Sequence, residues 1–126
     1  VHDAARPCIT PALISETIKS AKRNGSGIAA QHMTDTVKLV EKGQTVSSTL
    51  DRSKIWTVQT PQTFKFDLLS RAFDAVDIND ETITDEASAV EKLGEKVHLI
   101  PSRFPNIKIT VPEDLHIAAL LLGMQA

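Results

Sequence analysis

Thr10-Pro11 opens a helix, Asn24-Gly25 closes it, and the apolar run Gly27-Ile28-Ala29-Ala30 follows at once as a short buried strand. This punctuation limits the fold more than any other feature. A Thr hydroxyl caps free amides, Pro fits the first turn where its missing N–H is not needed, and Gly accepts the left-handed conformation that ends a helix. Ile14, Ile18 and Ala21 are expected to form the buried stripe, and the Ala residues of the strand predict close approach by a helix or a second chain.

The alternation continues. Ile55-Trp56-Thr57-Val58-Gln59 is β-branched and aromatic, hence a strand, which Thr60-Pro61-Gln62 is expected to break. Phe66 to Val76 is helical, with Leu69, Phe73 and Val76 on one stripe. Thr84 is placed as the cap of a third helix, with Asp85 and Glu86 in the first turn, Val90 and Leu93 facing inward and Gly94 as the stop. Val97 to Ile100 and Asn106 to Thr110 are further strands. Thr110-Val111-Pro112-Glu113 has capping-box spacing before a strongly apolar last helix that runs through Leu122. Strands alternating with helices predict an α/β fold with a largely parallel sheet.

One segment departs from that pattern. Thr34 to Val40 and Val46 to Leu50, on either side of Gly43, form a hairpin dominated by polar residues. A lone hairpin is marginal in water, so this one must lean on something, and a partner subunit is the natural support.

Val1-His2-Asp3-Ala4-Ala5-Arg6-Pro7 fits the end of a buried strand turning into a loop, the place where ligands sit in open α/β sheets. Asp3 suits a metal or sugar hydroxyls and Arg6 a phosphate, or the two form a structural ion pair at the turn. Other polar residues at strand or helix ends are Asp35-Thr36, Asp51-Arg52, Thr60, Thr84-Asp85 and Lys108. Lys108, between Ile107 and Ile109, either meets an anion or points from a solvated sheet face. Thr84 is an N-cap or part of an anion site. Arg52 is an exposed turn charge or a bidentate phosphate ligand.

Several chemistries are excluded or disfavoured. A net charge of -2 gives no electrostatic case for nucleic acid, and no apolar run is long enough to span a bilayer. One cysteine, Cys8, rules out an internal disulfide framework and suits a reducing compartment; it is expected to be a small apolar residue, not a nucleophile. His2, His32, His98 and His116 lack zinc-ligand spacing. Nucleophile-elbow, Walker and dinucleotide-binding motifs are missing. The chain is one domain or part of one. Starting at Val1, without an initiator Met, it is expected to be a piece of a longer protein.

The ordered set His2-Asp3-Ala4-Ala5-Arg6-Pro7, Asp35-Thr36-Val37-Lys38, Leu50-Asp51-Arg52, Trp56 with Thr60-Pro61-Gln62, Thr84-Asp85-Glu86-Ala87-Ser88, Asn106-Ile107-Lys108-Ile109-Thr110 and Pro112-Glu113-Asp114-Leu115 resembles the 2-C-methyl-D-erythritol 4-phosphate cytidylyltransferase family along nearly the whole chain. The resemblance implies the C-terminal part (1–126) of a Rossmann-like nucleotidyltransferase domain with a protruding dimerisation β-arm at about 34–54. It implies cytidylyl transfer from CTP to methylerythritol phosphate with release of pyrophosphate, in non-mevalonate isoprenoid biosynthesis, with Mg²⁺. Arg52 and Lys108 would orient the attacking phosphate. Asp3 would lie by the metal and the substrate hydroxyls, and Arg6, Thr36, Thr60 and Thr84 would complete the pocket. Thr36 and Arg52 would serve the neighbouring subunit of a homodimer.

The family's N-terminal half, with the loop that holds CTP, is absent, so these 126 residues alone are expected not to turn over CTP. Gln31-His32-Met33-Thr34 also departs from the family, which often has Pro before the residue matching Asp35. A ribitol 5-phosphate cytidylyltransferase shares most of the motifs, and a non-catalytic dimerisation fragment is a third reading. The expected location is the cytoplasm of a bacterium, or the plastid stroma in a plant.

Overall fold

A computed structural model describes residues 1–77 and 79–125. The elements run α1 (Pro11–Asn24), β1 (Ser26–His32), β2 (Lys38–Leu39), β3 (Ser48–Thr49), a 3₁₀ turn (Arg52–Lys54), β4 (Trp56–Phe64), α2 (Phe66–Ala75), α3 (Glu86–Lys92), β5 (Leu99–Pro101) and α4 (Glu113–Gln125). The main sheet has the order β4-β1-β5. β1 runs antiparallel to β4 and parallel to β5, so the sheet is mixed, not largely parallel as the alternation predicts. The reason is the hairpin excursion between β1 and β4, which reverses the chain where a helical crossover would have kept its direction.

β1 is the centre. Ile28, Ala29 and Ala30 are fully buried, and α1 lies so close that a Cβ on Gly27 would sit 2.2 Å from the Thr17 carbonyl oxygen. That approach explains a correction to α1. Thr10 caps it and Gly25 ends it at φ 92°, as expected, but the buried stripe is Leu13, Thr17 and Ala21, while Ile14 and Ile18 stay substantially exposed. Hydrophobicity alone favoured the isoleucines. Thr17 goes inside because it is small and its hydroxyl is satisfied, donating to the Ile14 carbonyl at 2.9 Å and lying 3.0 Å from the Thr63 hydroxyl.

The expected stripe of α2 is borne out at Leu69 and Val76, which pack against the core, and fails at Phe73. Leu68 and Ala72 are buried, Leu69 and Val76 flank them, and Phe73 is half-exposed. Alanines win this interface because Ala72 meets Ala89 and Val90 of α3 in one tight cluster, which larger side chains would push apart. A second cluster joins Cys8, Ala118 and Leu121 to Phe104, Ile107 and Ile109. Cys8 is buried and free, and burial pushes its thiol pKa up, in keeping with a packing residue.

Further expectations are corrected by hydrogen bonding. Thr60-Pro61 does not end β4. Its register against β1 shifts between Ile28 and Ala30, so a bulge absorbs Pro61, which has no N–H for the ladder; the Thr60–Pro61 bond is cis. Asp85, not Thr84, caps α3: its carboxylate accepts from the Ser88 amide, and the Ser88 hydroxyl accepts from the Asp85 amide. At α4 the carboxylate gripping the Thr110 and Val111 amides is Asp114, not Glu113. Asn106 to Thr110 is not a strand. The Ile109 amide reaches the Ala5 carbonyl at 2.8 Å, but the Asn106 carbonyl is taken by the Arg6 side chain. Val1 is exposed instead of lying in a buried strand, though it exchanges two 2.9 Å backbone bonds with Gln62. β2 and β3 do form the expected hairpin, in a shorter ladder of Lys38–Thr49 and Leu39–Ser48, with both strands exposed.

Candidate functional site

The bulge in β4 aims the Thr60 side chain at the loop that carries Asp3. Its hydroxyl oxygen accepts from the Asp3 amide at 2.9 Å and lies 2.9 Å from His2 Nδ1. His2 Nε2 is 3.1 Å from the Arg6 carbonyl. A carbonyl only accepts, so Nε2 is the donor there, and in the neutral ring Nδ1 accepts the Thr60 hydroxyl proton. The loop closes on itself through the Arg6 amide and the Asp3 carbonyl, 3.0 Å apart.

One carboxylate oxygen then gathers two cations. Asp3 Oδ2 is 3.4 Å from Arg6 Nε and 3.4 Å from Lys108 Nζ. Arg6 is mostly buried and anchored by a second nitrogen on the Asn106 carbonyl at 2.8 Å, whereas the Lys108 side chain is about half exposed. Lys108 thus has both features weighed for it from sequence, an anionic partner and access to solvent. Arg6 is a fixed part of the wall, and the Lys108 ammonium is the cation left accessible to an incoming anion.

Asp3, Arg6, Thr60, Thr84 and Lys108 all line one open cleft of about 470 Å³, together with Val58, Gln59, Gln62, Asp85 and Glu86. Asp85 is turned inward: Oδ1 accepts from the Ser88 amide at 2.7 Å and Oδ2 from Gln62 Nε2 at 3.0 Å. Gln62, nearly fully buried, also accepts from the Ala87 amide at 3.0 Å, so it clamps the start of α3 onto β4 and holds Thr84 at the rim. The cleft carries two cations against three carboxylates. A dianionic phosphate needs more positive charge than these walls supply.

Asp35, Thr36, Asp51 and Arg52, also singled out from sequence, lie elsewhere. Thr36 and Arg52 are on the hairpin arm, exposed, and do not line this cleft. Arg52 donates to the Thr34 carbonyl at 2.8 Å, across the base of the arm. Next to it Asp51 caps the 3₁₀ turn, and hydrogen bonds from Ser53 hold its carboxyl below the usual carboxylate range. Sequence reasoning passed over His2, Gln59, Gln62 and Asn106 as contributors. His2 and Asn106 sit inside motifs already singled out, and Gln62 follows Thr60-Pro61, but an amide's role depends on which carbonyls the fold brings to it. Among the described residues no group of three or more His, Cys, Asp or Glu is arranged to hold a metal, and no helix is long and apolar enough to cross a membrane.

Known proteins resemble this chain in sequence and in fold. The sequence profile of the IspD family, 2-C-methyl-D-erythritol 4-phosphate cytidylyltransferase, matches residues 1–124. A protein of that name from Acinetobacter baumannii is 44% identical over 126 residues, covering 99% of this chain and 53% of the relative. The crystal structure of the Francisella tularensis 2-C-methyl-D-erythritol 4-phosphate cytidylyltransferase superposes with a TM-score of 0.86 at 39% identity, covering 96% of this chain and 57% of that one. A crystal structure of a 4-diphosphocytidyl-2C-methyl-D-erythritol synthase gives 0.80 at 46% identity, covering 97% and 55%. The chain spans about half the length of the curated relatives it matches.

Proposed function

Because the chain belongs to the 2-C-methyl-D-erythritol 4-phosphate cytidylyltransferase family, we propose that its cleft is the sugar-phosphate side of a cytidylyl-transfer site, in a protein that joins CTP and methylerythritol phosphate and releases pyrophosphate. The observation that carries this reading is the convergence of Asp3, Arg6, Thr60, Thr84 and Lys108, from four separated segments, on one cleft.

In this reading the substrate phosphate attacks the α-phosphorus of CTP in line, and the protein contributes position and charge, not a covalent bond. The Lys108 ammonium holds the attacking phosphate. Asp3 sets the direction of Lys108 through their 3.4 Å pair and offers its carboxylate to the sugar hydroxyls. Arg6, held by Asp3 and by the Asn106 carbonyl, keeps Asp3 in place. Thr60 fixes the loop, and Thr84 closes the rim.

The surplus of carboxylates argues that the site is completed from outside these walls. We assign Arg52 and Thr36, on an arm whose strands are exposed on the chain itself, to the cleft of a second copy, giving a homodimer through residues 34–54. Mg²⁺ fits the donor set in a limited way: Asp3 would supply one carboxylate, and substrate phosphates and water the rest, the usual pattern for this ion. It would neutralise charge developing on the phosphates. Such a protein, with a single free cysteine, is suited to the cytoplasm.

The test is pyrophosphate release by the protein at its full natural length, with CTP and either methylerythritol phosphate or ribitol 5-phosphate. Turnover with the first and little with the second is expected, and a fall of roughly 100-fold or more in kcat/KM for Lys108→Ala. Full activity in that variant, or preference for ribitol 5-phosphate, contradicts the assignment.

A further inference from the structure

Asn106 stands behind the cleft, not in it. It is 2% exposed, and its Nδ2 donates to the Thr60 carbonyl at 2.7 Å and to Gln59 Oε1 at 3.3 Å. Its own carbonyl accepts from Arg6 at 2.8 Å, and Lys108 lies two residues further along the same extended segment. One side chain and its peptide therefore join the three segments that supply Asp3 with Arg6, Thr60, and Lys108. Gln59 extends the junction, since its Oε1 also accepts from the Ser102 hydroxyl at 2.8 Å.

Asn106 Oδ1 is buried with no hydrogen-bond partner among the described residues, and Asn106 borders a cavity of about 80 Å³ lined by Cys8, Leu13, Pro101 and Phe104 among others. A leucine would remove that acceptor, but it would also take away the Nδ2 group that holds the Thr60 carbonyl and reaches Gln59 Oε1.

We infer that Asn106 is a positioning residue for the anion site: it fixes the Thr60 backbone, and through Thr60 and Arg6 the Asp3 carboxylate that aims Lys108. The inference rests on the cytidylyl-transfer reading for its substrate, but the geometry requires only that the cleft take a phosphate-like anion.

The experiment compares Asn106→Leu and Asn106→Asp with the unmodified protein at full natural length. Leucine removes the donors without adding charge and removes the orphaned acceptor. Aspartate keeps the shape and regains a donor to the Thr60 carbonyl only when protonated. Turnover is measured against each substrate separately, and sulfate binding is followed on the Lys108 ammonium resonance. Positioning predicts that Asn106→Leu, with an unchanged circular dichroism spectrum, raises KM for the sugar phosphate and weakens sulfate binding by roughly tenfold or more while KM for CTP moves less than about twofold. It also predicts that Asn106→Asp recovers, relative to the unmodified protein, as pH falls.

A purely structural role predicts that both KM values move together or that neither does, and either result overturns the inference. If neither variant folds, Asn106 is structural and the inference is rejected. If the unmodified protein transfers no cytidylyl group but loses sulfate affinity on Asn106→Leu, the functional reading fails while the positioning role stands.

Discussion

Adding a single methyl group at two glycines should have opposite effects, and the geometry sets both signs. At Gly27 a Cβ would fall 2.2 Å from the Thr17 carbonyl oxygen and 2.9 Å from two further Thr17 backbone atoms. No rotamer change relieves a clash with backbone, so α1 must recoil from β1 by roughly 1 Å to restore ordinary contact. That recoil opens a tightly packed interface, where Ile28, Ala29, Ala30 and Thr17 are all fully buried. Overpacking costs about 1–3 kcal/mol in ordinary cores, and the upper end applies here because the obstacle is backbone. The smaller unfolded-state entropy of Ala returns about 0.4–1 kcal/mol. A net loss of about 2 kcal/mol lowers Tm by roughly 5–15 °C in a domain of this size.

Gly123 provides the control. It is exposed within α4, and a Cβ there meets nothing within 4 Å. Gly123→Ala should therefore stabilise by about 0.5–1 kcal/mol through helix propensity. Thermal unfolding followed by circular dichroism reads both. A Gly27→Ala protein as stable as the unmodified one would refute the claim that helix–strand contact fixes this fold.

Two other perturbations have definite signs. Lys92 and Thr82 bind the Asp80 carboxylate and hold its pKa near 2 against 3.8 when free, so its contribution is present above about pH 4 and is lost as pH falls toward 2. The difference in Tm between the unmodified protein and Asp80→Asn should shrink across that window, and a constant gap would contradict it. Gln62→Leu leaves the buried Ala87 amide and Asp85 Oδ2 without their partner; a loss of about 2–4 kcal/mol in chemical denaturation is expected, and a neutral effect would show that α3 is held by its apolar face alone.

How much of this was readable beforehand depended on which physical signal carried it. Local backbone chemistry was legible: Thr10, Pro11 and Gly25 behave as their caps require, and the hairpin turns at Gly43. Local signals failed where two elements compete for the same space. Ile14, Ile18 and Phe73 are the apolar choices for the core, yet Thr17 and Ala72 take it because close approach rewards small side chains. Thr84 and Asp85 are both good caps, and Asp85 won because Gln62, distant in sequence, holds its second oxygen.

The site divides in the same way. Asp3, Arg6, Thr60, Thr84 and Lys108 could be proposed one motif at a time, but the shared Asp3 oxygen exists only once the loop, β4 and the 106–110 segment meet. The amides that bring them together carry no local pattern of their own. The arm is different again: its residues line no part of the cleft in a single chain, and the role proposed for them there requires a second copy.

That dependence can be measured directly by mixing two inactive proteins, one carrying Arg52→Ala and one Lys108→Ala, after dissociation and reassociation at full natural length. If each site takes Lys108 from one copy and Arg52 from the other, half of the random dimers are mixed and each of those holds one intact site, so roughly a quarter of normal activity returns. If both residues act within one chain, every site stays broken and no activity returns.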